Sequence, residues 1–216
     1  MTLEPLLTLI RRAESEGAAR PQGVPSAYDV VWGGIKPADR PQARVGKRLT
    51  QMTVAEVLAW QESIDDRYRS EAAGAYQIME DTFRGLRSSP AALFNHAMQD
   101  ALATQLLKRR RLDRWVASEI TDAEFGDRIA MEWASFPVMS PFLVRADGRT
   151  VTRGQSYYAG DGLNAAHVKP GEVEAALGAV RASMAPAEPP PVAPPPEAPP
   201  APWWRWLLDA IFGGSR

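Results

Sequence analysis

Cysteine is missing from this 216-residue sequence, and histidine occurs only twice, at His96 and His167. Disulfides, thiolate zinc sites and a cysteine nucleophile are thereby excluded. Two histidines are too few for a histidine-rich metal centre, so neither a metal nor another cofactor is expected. A cysteine-free chain also suits synthesis in a reducing cytoplasm. Net charge is nearly absent too, since 25 Lys and Arg against 26 Asp and Glu leave a formal charge of -1. That balance supplies no basic field of the kind that attracts nucleic acid, and nucleic acid is not an expected partner. No run of about 18 to 20 apolar residues occurs, so no helix is expected to span a bilayer. The N-terminal segment has Glu4 ahead of a short run of Leu6, Leu7, Leu9 and Ile10, without a basic start or a small-residue cleavage site. No signal peptide is read there.

What is present begins with an apolar content of 45%, enough for one ordinary core. Leu3, Leu6, Leu7, Ile10 and Ala13 recur at helical spacing and Gly17 follows, which predicts a helix over residues 4–16 stopped by the glycine. Residues 18–50, rich in Gly, Pro and Arg, predict an ordered loop or small hairpin around a β-like run at Tyr28 to Trp32. Thr53 and Glu56 form a capping-box pattern ahead of Val54, Val57, Leu58 and Ile64, placing a helix at 54–68. Helices are also predicted at 79–87 and from Ser89-Pro90 to the basic run Lys108–Arg111, whose charges suit a solvated helix end. Thr121 and Glu124 repeat the capping pattern before Phe125, Ile129, Ala130 and Trp133, read as core positions. Residues 136–170 carry many Gly and Pro and predict a long loop or hairpin. Val173, Ala176, Leu177 and Val180 mark a final helix. The reading is an α+β, mainly α domain over residues 1–184.

Composition then changes to Pro and Ala, and residues 185–202 read as an extended linker. Residues 203–216 form a Trp-rich amphipathic tail. Trp203, Trp204 and Trp206 suit a membrane interface, and docking on the domain or on a partner is the other reading.

Two stretches suggest chemistry. In Ser15-Glu16-Gly17, Glu16 would sit at a helix carboxyl end, where the dipole disfavours negative charge and raises the pKa of a proton donor. A solvated glutamate at a frayed end is the plainer alternative. In Ser70 to Ile78, a turn at Gly74 is flanked by Tyr76 and Gln77, groups able to line a polar cleft. Asp29 reads from its position as a turn or cap aspartate, and the family resemblance given below makes it the best second carboxylate. Asp65, Asp66 and Glu71 are weaker candidates, read as solvated. Tyr157 and Tyr158 belong either to a cleft rim or to a plain Gly-rich loop.

Taken in order, five words carry a resemblance: Ser15-Glu16-Gly17, Tyr28-Asp29-Val30-Val31-x-Gly33-Gly34, Ala72-Ala73-Gly74-x-Tyr76-Gln77, Gln99-Asp100-Ala101 and Trp133-Ala134-Ser135-x-Pro137. The series resembles the bacteriophage lambda endolysin family of peptidoglycan lytic transglycosylases. The resemblance implies a lysozyme-like fold with a small β-hairpin element beside a glycan cleft, and peptidoglycan glycan strands as the partner. It puts the catalytic acid on Glu16 and substrate contacts on Gly74, Tyr76, Gln77, Tyr28 and Asp29. Where the family's lambda word has a basic residue this chain has Ala75, and a contact there is expected to be missing. The implied reaction cuts the β-1,4 bond between N-acetylmuramic acid and N-acetylglucosamine and leaves 1,6-anhydro-muramoyl ends. A hydrolytic muramidase using Asp29, and a non-catalytic wall-binding or phage structural module, are the alternatives. Synthesis in the host cytoplasm and action on the wall would require release through a holin or through the tail. The tail and the segment from Met139 to Gln155 have no counterpart among the five words.

Overall fold

Helix α1 (Glu4–Arg11) buries Leu6, Leu7, Leu9 and Ile10, as its spacing demands. The chain does not stop at Gly17. A π turn over Arg12–Glu16 inserts one wide turn, and α2 (Gly17–Gln22) continues the helix, with Gly17 itself in helical conformation. The expected helix end at Glu16 is therefore absent, and with it the dipole argument for that residue. The computed structural model describes residues 1–162 and 165–184; the linker 185–202 and the Trp-rich tail 203–216 lie outside the described residues.

The architecture is mixed α and β and mainly helical. After α3 (Pro41–Val45) comes α4 (Val54–Glu62), capped as the sequence predicts: Thr53 accepts from the Glu56 amide and Glu56 reaches back to the Thr53 amide. This helix is shorter than expected, because Ile64 turns inward and a 3-10 turn takes over at Asp65–Arg67. Helix α5 spans only Glu80–Arg84. Helix α6 (His96–Arg109) begins at the Asn95 cap and not at Pro90. Residues 90–94 are instead used elsewhere. The carbonyls of Ala92 and Pro90 accept from Val54 and Ala55, satisfying the free donors at the start of α4. Leu93 is consequently exposed, whereas Phe94 is buried against Phe83.

Helix α7 (Leu112–Val116) and α8 (Asp122–Ala130) pack Trp115 on Phe125 with ring centroids 4.9 Å apart. Phe125, Ile129, Ala130 and Trp133 are buried as expected. Strands β1 (Phe142–Val144) and β2 (Thr150–Thr152) form an antiparallel hairpin in which Leu143 faces Val151. It is the two-stranded sheet among the described residues, and it lies within the long segment 136–170. The Tyr28–Trp32 run is not a hairpin, since Ala27–Asp29 is a 3-10 turn and Val31 makes only a single bridge to Ala73. Helix α9 (Pro170–Ala182) buries Val173, Ala176, Leu177 and Val180 and packs on α1, closing the core. No helix of the described residues is long and apolar enough to cross a membrane.

Candidate active site

The π turn is fixed at a distance. Ser15 is buried, and its hydroxyl lies 3.1 Å from the Arg11 carbonyl and 2.9 Å from the Ala75 carbonyl. This contact joins the first helix to the Gly74 turn. A π turn shifts the helical phase by about one residue and recurs at functional sites. Here it leaves Glu16 exposed and turns Glu14 into an open cleft of about 640 Å³. Glu16 does not line that cleft.

Glu14 is the unusual group. Its carboxyl is held by the Ser135 hydroxyl, and burial pushes it up from 4.5 to about 7, although the Ser135 hydrogen bonds favour the ionised form. Desolvation dominates, because taking a carboxylate out of water disfavours its charge more than two neutral donors restore it. Ser135 is itself fixed, its carbonyl accepting from His167 at 2.7 Å and Val168 at 3.3 Å. The neighbouring Trp133 donates its indole N–H to the Tyr76 carbonyl at 3.1 Å.

A second carboxylate on the cleft, Glu132, is committed elsewhere. Arg110 Nε stands 2.6 Å from it and Arg109 3.5 Å, so part of the basic run at the end of α6 neutralises it. Glu14 has no cationic partner among the described residues. Nor do three or more His, Asp or Glu side chains gather among those residues into a set able to hold a metal ion.

The other expected contacts divide. Gln77 lines the cleft, with a left-handed φ of 48° and its amide donating to the Gly74 carbonyl at 2.8 Å. Tyr76 does not present a face, being 1% exposed; its hydroxyl lies 2.5 Å from Asp100 and accepts from Arg11 at 3.1 Å. Tyr28 is partly buried and also donates to Asp100, at 2.8 Å, away from the cleft-lining residues. Asp29 is buried and accepts from the Thr50 amide and hydroxyl at 2.9 and 2.8 Å, the turn-holding alternative. Glu71 is not solvated but buried, and its carboxylate accepts from the Glu80 amide at the start of α5.

Gly74 is needed for close approach of protein, not sugar. Its φ is +79°, and a Cβ there would stand 2.3 Å from Gln99 Oε1. Gln99 in turn accepts from the Ala75 amide at 2.8 Å and donates to the Tyr28 and Phe94 carbonyls. Ala75 is fully buried, so this position offers no side chain to a ligand. The five sequence words thus meet in one place. Gln99 and Asp100 bind the turn and both tyrosines, Ser15 binds Ala75, and Ser135 binds Glu14.

The family model for Endolysin matches residues 4–142. The chain belongs to the Endolysin family. Comparisons with curated proteins and with solved structures gave no match. The matched span of this endolysin includes Glu14, Glu132 and Ser135 and ends at the first residue of β1. Tyr158 and His167 lie beyond it and nevertheless line the cleft. Tyr158 is the rim aromatic, its hydroxyl donating to the Met131 carbonyl at 2.8 Å, while Tyr157 packs beneath the Arg145 guanidinium at 5.2 Å.

The Ser-Glu-Gly word draws attention to Glu16, two residues downstream of the cleft-lining carboxyl Glu14. One local signal was available. Glu14 follows Ile10 by four residues and Leu7 by seven, so it continues the apolar stripe of α1 as a carboxylate on a buried face.

Proposed function

We propose that this endolysin, with a lysozyme-like domain and a cleft that receives a glycan strand, cuts the N-acetylmuramic acid to N-acetylglucosamine β-1,4 bond in peptidoglycan. Glu14 is the acid in this proposal. The role that the resemblance puts on Glu16 moves to Glu14 because Glu16 is exposed and off the cleft. The observation that carries the reading is a cleft-lining carboxyl raised to about 7, protonated in a large fraction of molecules at neutral pH.

Neutral Glu14 gives its proton to the glycosidic oxygen as the bond to muramoyl C1 breaks. The carboxylate so formed takes the proton of the muramoyl C6 hydroxyl while that oxygen bonds to C1. The product is a 1,6-anhydro end, and Glu14 regains its proton. No water is activated, so no second free carboxylate is required. This agrees with Glu132 being neutralised by arginines and Asp29 being spent on Thr50. Gln77 contacts the sugar, whereas Tyr28, Tyr76, Gly74 and Asp29 hold the wall behind it. Trp203, Trp204 and Trp206 engage a membrane surface, and passage from the host cytoplasm to the wall uses a holin or this tail.

Turbidity loss of purified sacculi tests the assignment. Glu14→Gln is expected to abolish lysis while Glu16→Gln retains it. The opposite pattern returns the role to Glu16, and an inactive wild type favours a wall-binding module.

A further inference from the structure

Trp32 stands at the open position of the word Tyr28-Asp29-Val30-Val31-x-Gly33-Gly34 and lines the same cleft as Glu14. Its backbone is fixed on both sides, the Trp32 amide donating to the Ala72 carbonyl at 2.9 Å and its carbonyl accepting from Ile35 at 3.1 Å. The ring folds over Gly34: a Cβ on Gly34 would stand 2.0, 2.1 and 2.7 Å from three atoms of the Trp32 six-membered ring. Gly34 does not have a left-handed φ, so the backbone itself does not demand glycine there. The space under the indole does.

The indole N–H distinguishes Trp32 from the core tryptophans. Trp60 donates to the Asp39 carbonyl at 2.9 Å, Trp115 to Asp122 at 2.7 Å, and Trp133 to the Tyr76 carbonyl at 3.1 Å. Among the described residues Trp32 has no such partner, and it is only partly buried. A buried indole normally finds a partner for its N–H, and an amphipathic ring with a free donor on a cleft wall suits a ligand with an apolar face and carbonyl groups.

We infer that Trp32, seated on Gly34, is a stacking platform for a hexosamine ring of the glycan, with its indole N–H directed to an N-acetyl carbonyl. The inference rests on the peptidoglycan reading above. Trp32 is a binding and positioning residue, separate from the proton chemistry of Glu14. The apolar C–H face of a pyranose on an indole removes apolar surface from water, and the N–H bond fixes which face is presented.

Co-sedimentation with purified sacculi, in a Glu14→Gln background so that turnover does not consume the probe, measures the effect. Trp32→Leu is expected to weaken binding about three- to tenfold. Gly34→Ala leaves the indole in the chain but displaces the ring, and the same loss is expected. The double variant should bind no worse than Trp32→Leu alone, because Gly34 acts only through the ring. Thermal melting run in parallel identifies any loss caused by unfolding, and Trp32→Met, which has no aromatic face, replaces Trp32→Leu if the latter melts early. Equal binding by parent and variants overturns the platform. Further weakening by Gly34→Ala when Trp32 is already gone also overturns it. Failure of the parent itself to sediment overturns the substrate class, so the two readings fail separately.

Discussion

Glu14→Gln should make the endolysin inactive and, at alkaline pH, more stable. The native carboxyl is raised from 4.5 to about 7 by burial. A raised carboxyl means that the folded protein binds the proton more tightly than the unfolded chain. The neutral form therefore folds without penalty below pH 4.5, and stability falls as pH rises through the interval to about 7. The ionised wild type carries a destabilisation of up to about 3 kcal/mol above that interval. Glutamine is neutral throughout, keeps an oxygen to accept from Ser135, and fills the same space. At pH 8 the variant should melt up to about 10 °C above wild type, given the usual relation of free energy to melting temperature for a domain of this size. At pH 4 the two should coincide. Lysis of sacculi should fall by about a hundredfold or more, the contribution of a placed general acid. Circular dichroism melts at the two pH values and a turbidity assay read both halves. Identical melting differences at pH 4 and pH 8 would refute the claim that Glu14 titrates from a desolvated neutral state.

Asp29→Asn should lower stability by about 1–2 kcal/mol through the Thr50 contacts, with the activity of folded protein retained; a loss of about a hundredfold in folded protein would restore Asp29 as a second catalytic carboxylate. Gly74→Ala imposes both a left-handed φ and a Cβ only 2.3 Å from Gln99, and should cost about 2 kcal/mol or more in chemical denaturation. A neutral result would show that Gln99 swings away freely. Deleting residues 203–216 should leave activity on isolated sacculi intact and weaken liposome binding, and equal liposome binding by both forms would retire the membrane role of the Trp segment.

Local chemistry made part of the fold legible. The Thr53–Glu56 box and the Thr121 cap set helix starts within a few residues, and both appear where the sequence places them. The apolar stripe of α9 was legible for the same reason, since its four buried positions follow helical spacing alone. Pro90 shows where such reasoning fails. Its segment would start a helix in isolation, but its carbonyls are taken by the amides of α4, far back in the chain.

The candidate site depends on non-local contacts almost entirely. The phase of residues 12–16 is set by a serine that bonds Ala75, and the pKa of Glu14 by desolvation in the folded cleft, against the opposing hydrogen bonds of Ser135. Neither partner is near in sequence, so beyond the place of Glu14 on the apolar stripe of α1 the two glutamates are separated only by the π turn. The family words located the right neighbourhood. Most of their residues, Tyr76 and Gln99 among them, turn out to assemble the wall and not to face the cleft.

Mass analysis of the muropeptides released by wild type, beside Glu14→Gln, tests the central claim most directly. The wild type is expected to release 1,6-anhydro-muramoyl ends, and the variant to release them at least about a hundredfold more slowly. Reducing muramic ends would contradict the single-acid mechanism, and anhydro ends released by Glu14→Gln at the wild-type rate would contradict the assignment of the acid.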